Sequence, residues 1–198
     1  MKKIVSIVLA VSMLAVCVTG CKTTTRKQLK PVVLNEVAHS IFYAPQYAAI
    51  ELGYFEDEGL DLTLVNGAGA DKVMTALISG DADIGFMGSE ASIYVYQQGS
   101  DDYAVNFAQL TQRAGNFLVG REAQDNFTWA DLKGKKVLGG RAGGMPEMVF
   151  EYILKKNGID PAADLTIDQS INFGLTAAAF TSNDADYTVE FEPFATGL

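Results

Sequence analysis

One pattern is stated twice in this chain, and it constrains the fold more than any other feature. Pro45, Gly59-Leu60-Asp61 and Asp81-Ala82-Asp83 recur in the same order as Pro146, Gly158-Ile159-Asp160 and Asp184-Ala185-Asp186. The interval from the proline to the first aspartate of the triplet is 36 residues in one copy and 38 in the other. In each copy the proline suits the first turn of a helix, where its missing N–H costs nothing, and the glycine suits the helix end. A strand then follows, a second helix comes next, and the Asp-Ala-Asp turn launches another strand. Two such units predict two β-α-β-α-β lobes with a cleft between them.

The hydrophobic periodicity fills in the elements. Residues 32–37 predict a buried first strand, and a helix runs from Pro45 through Ala48, Ala49 and Leu52 toward Gly59. Leu60, Leu62 and Leu64 alternate on one face of a second strand, and Val73, Met74, Leu77 and Ile78 form the apolar stripe of the next helix. A third strand is expected over 83–87 and a helix over 89–98, closed by Gly99. Val105, Phe107 and Gln109 alternate against Asn106, Ala108 and Leu110, which predicts a fourth, central strand. Residues 117–119 start the crossover into the second lobe. There Thr128 and Asp131 are spaced for a capping box on a short helix, and 136–139 is a strand. A helix over 146–157 carries Glu147 in its first turn and Lys155 and Lys156 in its last, each complementing the helix dipole.

The N-terminus reads as an export signal. Lys2 and Lys3 precede an uncharged apolar run from Ile4 to Val18, shorter than the ~20 residues that span a bilayer. Val18-Thr19-Gly20-Cys21 is similar to a bacterial lipobox, in which Cys21 is acylated; a plain secretory signal with an incidental cysteine is the alternative. Both cysteines, Cys17 and Cys21, lie in this leader, so the exported part has no disulfide and no thiolate metal site. From Pro31 onward nine basic and 24 acidic side chains leave a net charge of −15, which argues against nucleic acid as a partner. At its other end the chain stops at Phe194-Ala195-Thr196-Gly197-Leu198, directly after a strand, and reads as the front part of a longer protein.

The stretch FYAPQYAAIELGYFEDEGL from Phe42 to Leu60 resembles the substrate-binding proteins of ABC importers in the nitrate, sulfonate, taurine and thiamine-precursor group. The resemblance continues through Ile78 to Gly85, Asp131 to Lys136 and Tyr187 to Pro193. It implies an α/β chain with the type II periplasmic-binding-protein fold, whose C-terminal return to the first lobe is missing here. The expected division is a lipoprotein signal peptide over 1–20, a lipid-anchored tether over 21–30, lobe I over 31–114 and an incomplete lobe II over 115–198. The implied partners are a small-molecule solute and an ABC permease, with no cofactor and no metal. The implied location is outside the cytoplasm, on the outer face of the cell membrane or in the periplasm.

In parallel sheets ligands sit beyond the carboxyl ends of the strands, and this selects the candidate binding residues. The loop GGRAGGMP at 139–146 is the sharpest: Gly143, Gly144 and Met145 precede a helix whose free N–H groups form a nest for a ligand oxygen. Ser89, after the third strand, offers a hydroxyl and an amide, or serves only as a helix cap. Glu36 and Ser40 flank the end of the first strand, and Tyr43, beside Phe42, is placed to stack on a planar ligand or to staple a helix. Gln112 and Arg113 close the first lobe. His39, the only histidine, is expected to be structural. Glu190 and Glu192 bracket Phe191 on the last strand and share one face. If that face looks into the cleft, it favours an amine-bearing heterocycle such as a pyrimidine, whereas Arg113 and Arg141 favour a sulfonate, nitrate or carboxylate.

Three functions compete on these residues. The first is capture of a small polar solute, either a thiamine-precursor-like pyrimidine or a sulfonate- or nitrate-type anion, for import without chemistry. The second is an enzyme similar to the yeast-type thiamine pyrimidine synthase. In that enzyme a lysine and a histidine follow the third strand, whereas aligned on Gly85 this chain has Met87 and Ala91. The third is a surface sensor using the same fold. Among nucleotide and hydrolase signatures, no Gly-rich loop ends in Gly-Lys-Ser/Thr, no His-Glu-x-x-His occurs, and no Gly-x-Ser-x-Gly elbow is present.

Overall fold

The computed structural model describes residues 28–113, 115–172 and 174–198. The expected signal peptide over 1–20 and the acylation site Cys21 lie outside the described residues. Among the described residues no helix is long and apolar enough to cross a membrane.

The first half of the chain builds a three-stranded parallel sheet from β1 (Lys30–Glu36), β2 (Leu60–Asn66) and β3 (Ile84–Phe86), in the order β2-β1-β3. Its helices are α1 (Ala44–Glu51), α2 (Tyr54–Asp57), α3 (Ala70–Ser79) and α4 (Glu90–Gln97). The second half builds a four-stranded sheet from β4 (Asn116–Gly120), β5 (Lys136–Leu138), β6 (Thr166–Asp168) and β7 (Tyr187–Phe191), in the order β4-β7-β5-β6. Its helices are α5 (Met145–Lys156), α6 (Thr176–Ser182) and α7 (Phe194–Gly197). Strand β5 runs parallel to β6 and β7, and β4 pairs antiparallel with β7. This is the type II periplasmic-binding-protein fold expected from the sequence.

The sequence repeat is a structural repeat with the same chemistry in both copies. Pro45 and Pro146 each sit in the first turn of a helix, and Gly59 and Gly158 take positive φ values of 88° and 70°. The last aspartate of each triplet clamps the central strand, at the middle of β1 and at the first residue of β5. Asp83 donates its N–H to the Val33 carbonyl at 2.9 Å and accepts the Val33 N–H on its carboxylate at 2.8 Å. Asp186 does the same to Lys136, at 2.8 Å and 2.9 Å. The alanine between the aspartates is buried in both, as Ala82 and Ala185. The order β2-β1-β3 is therefore reproduced by β6-β5-β7, with β4 added outside β7.

Two sequence expectations give way. The helix expected to run from Pro45 to Gly59 is divided at Gly53, whose φ of 74° closes α1 before α2 begins. Residues 105–110 form no strand, and Val105 and Phe107 are each 76% exposed. Their alternation is a strand pattern, but strand preference is realised only against a neighbouring strand, and this segment pairs with none. The capping box is present, with the Thr128 N–H donating to Asp131 at 2.7 Å, although it opens a 3-10 turn over Trp129–Leu132.

The largest core cluster lies in the second half, where Leu132, Val137, Phe150, Leu154, Ile159, Leu165, Tyr187 and Val189 pack together. Burying one such aliphatic side chain contributes about 1.5–3 kcal/mol. In the first half the corresponding cluster is Ala70, Met74 and Ala91, ringed by half-buried Val37, Leu77, Met87 and Val95.

Candidate functional site

The chain leaves β1 at Glu36, and the carboxylate of that residue organises everything immediately after it. Glu36 is 1% exposed and accepts hydrogen bonds from Tyr47 Oη at 2.9 Å and Gln46 Nε2 at 3.1 Å, with His39 Nδ1 at 3.0 Å. His39 in turn stacks on Tyr47, with ring centroids 4.2 Å apart. Tyr47 Oη also accepts the Ser40 N–H at 3.0 Å, and Ser40 Oγ accepts the Phe42 N–H at 3.3 Å. Together these bonds lock the turn that presents Ser40, Phe42 and Tyr43. Glu36 thus holds the wall of the cleft from behind and does not line it, whereas His39 packs on Tyr47 and also borders the second of the chambers described below.

Strand β3 ends at Phe86, and the turn through Gly88 leads into α4. A Cβ at Gly88 would lie 2.1 Å from both oxygens of the Glu90 carboxylate, so the absence of a side chain there is what admits Glu90. Ser89 already has helical angles and makes no capping bond through its side chain; its exposed hydroxyl lines neither chamber described below. Glu90, one residue on, takes the inward position and is 4% exposed.

From the second half come the glycine-rich loop and the start of α5. Arg141 reaches across to Asp71 at the start of α3, with Nε 3.1 Å from Oδ1 and a second, shorter bond from Nη2 to Oδ2. Gly69 makes room for this pair, since a Cβ there would stand 2.6 Å from Asp71 Oδ1 and 2.9 Å from Arg141 Nε. Asn172 accepts from Arg141 at 3.2 Å and from Lys72 at 3.4 Å, so two cations of opposite halves meet on one side chain. Phe42 and Phe191 also meet across the halves, edge to face, at 5.9 Å.

Two chambers open between the halves. The first, of about 230 Å³, is lined by Ser40, Tyr43, Glu90, Arg113, Arg141 and Met145 among others. The second, of about 460 Å³, is lined by His39, Ser40, Thr176, Glu190, Glu192 and Phe194 among others. Ser40 and Phe191 border both, so the contact of Phe42 with Phe191 stands at the partition. Of the residues singled out in the sequence, Ser40, Tyr43, Gln112, Arg113, Gly144 and Met145 line the first chamber. Glu190 and Glu192 line the second. Gly143 lies outside both linings and donates its N–H to Glu147 Oε2 at 3.3 Å. Glu90 belongs to the segment from Gly88 to Glu90 that the strand-end rule selects, in which Ser89 is the residue singled out; the signal that marks Glu90 is the glycine two residues earlier.

The electrostatics follow from burial. Desolvation, reinforced by the charges of Glu36 and Glu90, pushes the Tyr43 hydroxyl up to about 12, so it is a proton donor at any physiological pH. Burial raises Glu90 and Glu190 above the ordinary carboxylate range. Glu190 is offset by hydroxyls, accepting from Thr188 at 2.9 Å. Asp71 is held low by the Arg141 guanidinium. Among the described residues no group of three or more His, Cys, Asp or Glu side chains is disposed to hold a metal.

Comparison with known proteins agrees with this architecture. Residues 41–194 match the family model described as NMT1/THI5 like. The chain is 50% identical over 176 residues to the "Putative binding protein YtlA" of Bacillus subtilis (strain 168), covering 89% of this chain and 52% of that protein. Among solved structures, the ligand-binding component of an ABC-type import system from Staphylococcus aureus is 18% identical with a TM-score of 0.63, covering 84% of this chain and 56% of that one. The periplasmic aliphatic sulphonate binding protein SsuA of Escherichia coli is 17% identical with a TM-score of 0.52, covering 85% of this chain and 56% of that one. The chain therefore spans about half the length of the proteins it matches. By sequence and by fold, this chain belongs to the NMT1/THI5-like family.

Proposed function

We propose that the chain is the extracytoplasmic solute-binding component of an ABC importer, and that it captures a small polar solute between its two halves and delivers it, unchanged, to a membrane permease. The observation that carries this reading is the first chamber. It is enclosed by loops from both halves, lies beyond the carboxyl ends of β1 and β3, and is bounded by interactions that cross between the halves. Ser40, Tyr43, Gln112, Arg113, Gly144 and Met145 are the candidate contacts in that chamber, with Glu190 and Glu192 in the second. The working motion is closure of the halves about crossovers near 113–120 and near the C-terminus. Acylation at Cys21 anchors the protein to the outer face of the membrane.

The reading involves no catalysis. Where the resembling synthase has a lysine and a histidine, Met87 and Ala91 can neither hold an aldehyde cofactor nor supply imidazole atoms. Ala91 is buried in the small core of the first half, so that position is committed to packing. The solute classes under test are thiamine-pathway pyrimidines and small oxyanions such as sulfonates and nitrate. Isothermal titration of the complete protein against both classes should give saturable heat with one of them. Silence across both would discredit the assignment.

A further inference from the structure

Resting on the solute-binding reading, we propose that Glu90 is the specificity-determining group of the first chamber, and that the chamber takes a small planar cation, or a ring bearing amine or amidine N–H groups, in preference to an oxyanion. Glu90 is 4% exposed and borders the chamber, yet neither of its carboxylate oxygens has a hydrogen-bond partner. A buried carboxylate left in that state is costly, and such a group in a native structure calls for a role or a partner. Its position is built in: Gly88 leaves the space that the carboxylate fills.

The other charged groups around the cleft are already spent or exposed. Glu36 is saturated by Tyr47, Gln46 and His39, and Glu190 accepts from Thr188. Arg141 is neutralised by Asp71 through two bonds. Arg113 is exposed at the rim, where water screens it. Among the described residues the buried carboxyl side chains are Glu36, Glu90 and Glu190, at 1%, 4% and 3% exposure, and no lysine or arginine is buried with them. The low-dielectric part of the cleft is therefore acidic, and an oxyanion entering it would meet uncompensated like charge.

The glycine-rich nest expected to bind a ligand oxygen is occupied by the chain's own acids. Gly143 donates its N–H to Glu147, and the Met145 N–H at the start of α5 lies near enough to Glu90 to favour its charge, without hydrogen-bond geometry. Beside the neutral polar groups of Ser40, Thr111 and Gln112, carboxylate and aromatic surface remains open to a ligand. Phe42, Tyr43 and Phe86 line the chamber, with Tyr43 and Phe86 ring centroids 4.3 Å apart, and aromatic faces attract cations. The volume of about 230 Å³ falls below the ~300–1,000 Å³ of pockets for drug-sized ligands, which suits a solute of about one ring.

The test is titration of the complete protein with benzamidine and 4-aminopyridine as planar cations and with methanesulfonate and nitrate as oxyanions, followed by the same titrations on Glu90→Gln and Glu90→Ala. The expected result is binding of the cations in preference to the oxyanions, and a loss of cation affinity of about thirtyfold or more in both variants, the usual consequence of removing one partner of a buried charge pair. Circular dichroism checks that the variants are folded; if neither folds, the selectivity of the unaltered protein decides. Tighter binding of the oxyanions overturns the assignment of Glu90 while leaving the solute-binding reading intact. So does a Glu90→Gln variant that keeps its cation affinity within about twofold, against the loss expected for a desolvated pair. Binding of neither class, nor of the thiamine-pathway pyrimidines, overturns both.

Discussion

The two sheets repeat one another strand for strand, β2-β1-β3 against β6-β5-β7, but they are not equally finished. Strand β7 spans five residues, is buried over four of them and is flanked on its outer edge by antiparallel β4. Its counterpart β3 spans three residues, none of them fully buried, and among the described residues no strand pairs with its outer edge. The apolar alternation at 105–110 follows β3 and α4 in the chain and lies exposed outside the sheet. Identical chemistry, a proline start, a glycine stop and an aspartate clamp, thus produces the same scaffold twice. Whether each scaffold acquires a deep core depends on what lies beside the last strand, which is decided at long range.

The sharpest way to break this comparison is to excavate each core. Leu154 is fully buried on α5 within the eight-residue cluster, where rigid neighbours on every side resist collapse into a void. Leu154→Ala should cost about 3–5 kcal/mol, the upper part of the range for such truncations. Met74 on α3 is packed against Ala70 and Ala91, with half-buried neighbours that can shift inward. Met74→Ala should cost about 2–3 kcal/mol, the lower part of that range. Urea unfolding of both variants measures the difference. Equal costs would mean that the first half is as well packed as the second, and the contrast between the sheets would lose its meaning.

A smaller effect tests whether the unequal halves support one another. The bond pair between Arg141 and Asp71 is charge-assisted and forked, which favours it, but Asp71 is partly open to solvent, which weakens it. A double-mutant cycle with Arg141→Ala and Asp71→Ala should return a coupling of about 1 kcal/mol. Each variant should also increase the radius of gyration in solution scattering, because the contact crosses between the halves. A coupling near zero with an unchanged radius would leave Phe42 against Phe191 to hold the arrangement.

What could be read from the sequence divides along the same line between local and distant causes. The repeat was legible because Pro45 and Gly59, and their partners Pro146 and Gly158, act on backbone within a few residues, whereas the clamps of Asp83 and Asp186 each close over 50 residues and show in the sequence only as the turns that carry them. The family resemblance was legible for the same reason, being carried by contiguous blocks. The strand expected at 105–110 was a correct reading of alternation and an incorrect reading of pairing, since a partner strand leaves no mark on the segment itself. At the site, Glu36 was visible as a carboxylate at a strand end. That Tyr47, Gln46 and His39 would consume it depends on how α1 folds back over β1. Arg141 was visible as a cation near the cleft, whereas its neutralisation by Asp71 spans 70 residues of sequence. Glu90 falls in a segment the sequence selects, but its role is not legible beside Ser89, although the glycine two residues upstream marks a close approach. The difference between Ser89 outward and Glu90 inward is one step of helical phase at the start of α4.

The smallest expected effect concerns a place where the better-packed half carries a liability of its own. Glu147, in the first turn of α5, is pushed up to about 7 by burial and by the neighbouring carboxylate of Glu151, while the Gly143 N–H and the Gln169 amide partly favour its charge. Its value in the folded chain lies above the ordinary 4.5, so the folded state holds this proton more tightly than the unfolded state does. The stability it contributes is therefore fully present below about pH 4.5 and is lost as pH rises through about 7. Glu151 is lowered by Lys155, so its contribution has the opposite sign and is lost as pH falls below the ordinary carboxylate range, outside that window. Glu147→Gln keeps an acceptor for Gly143 and removes the proton. The gap between the urea midpoints of the variant and the unaltered protein should widen in favour of the variant as pH rises from about 5 to about 7.5. If the gap stays constant across that interval, Glu147 is ionised in the folded loop, and the glycine-rich turn facing the cleft is as secure as the core behind it.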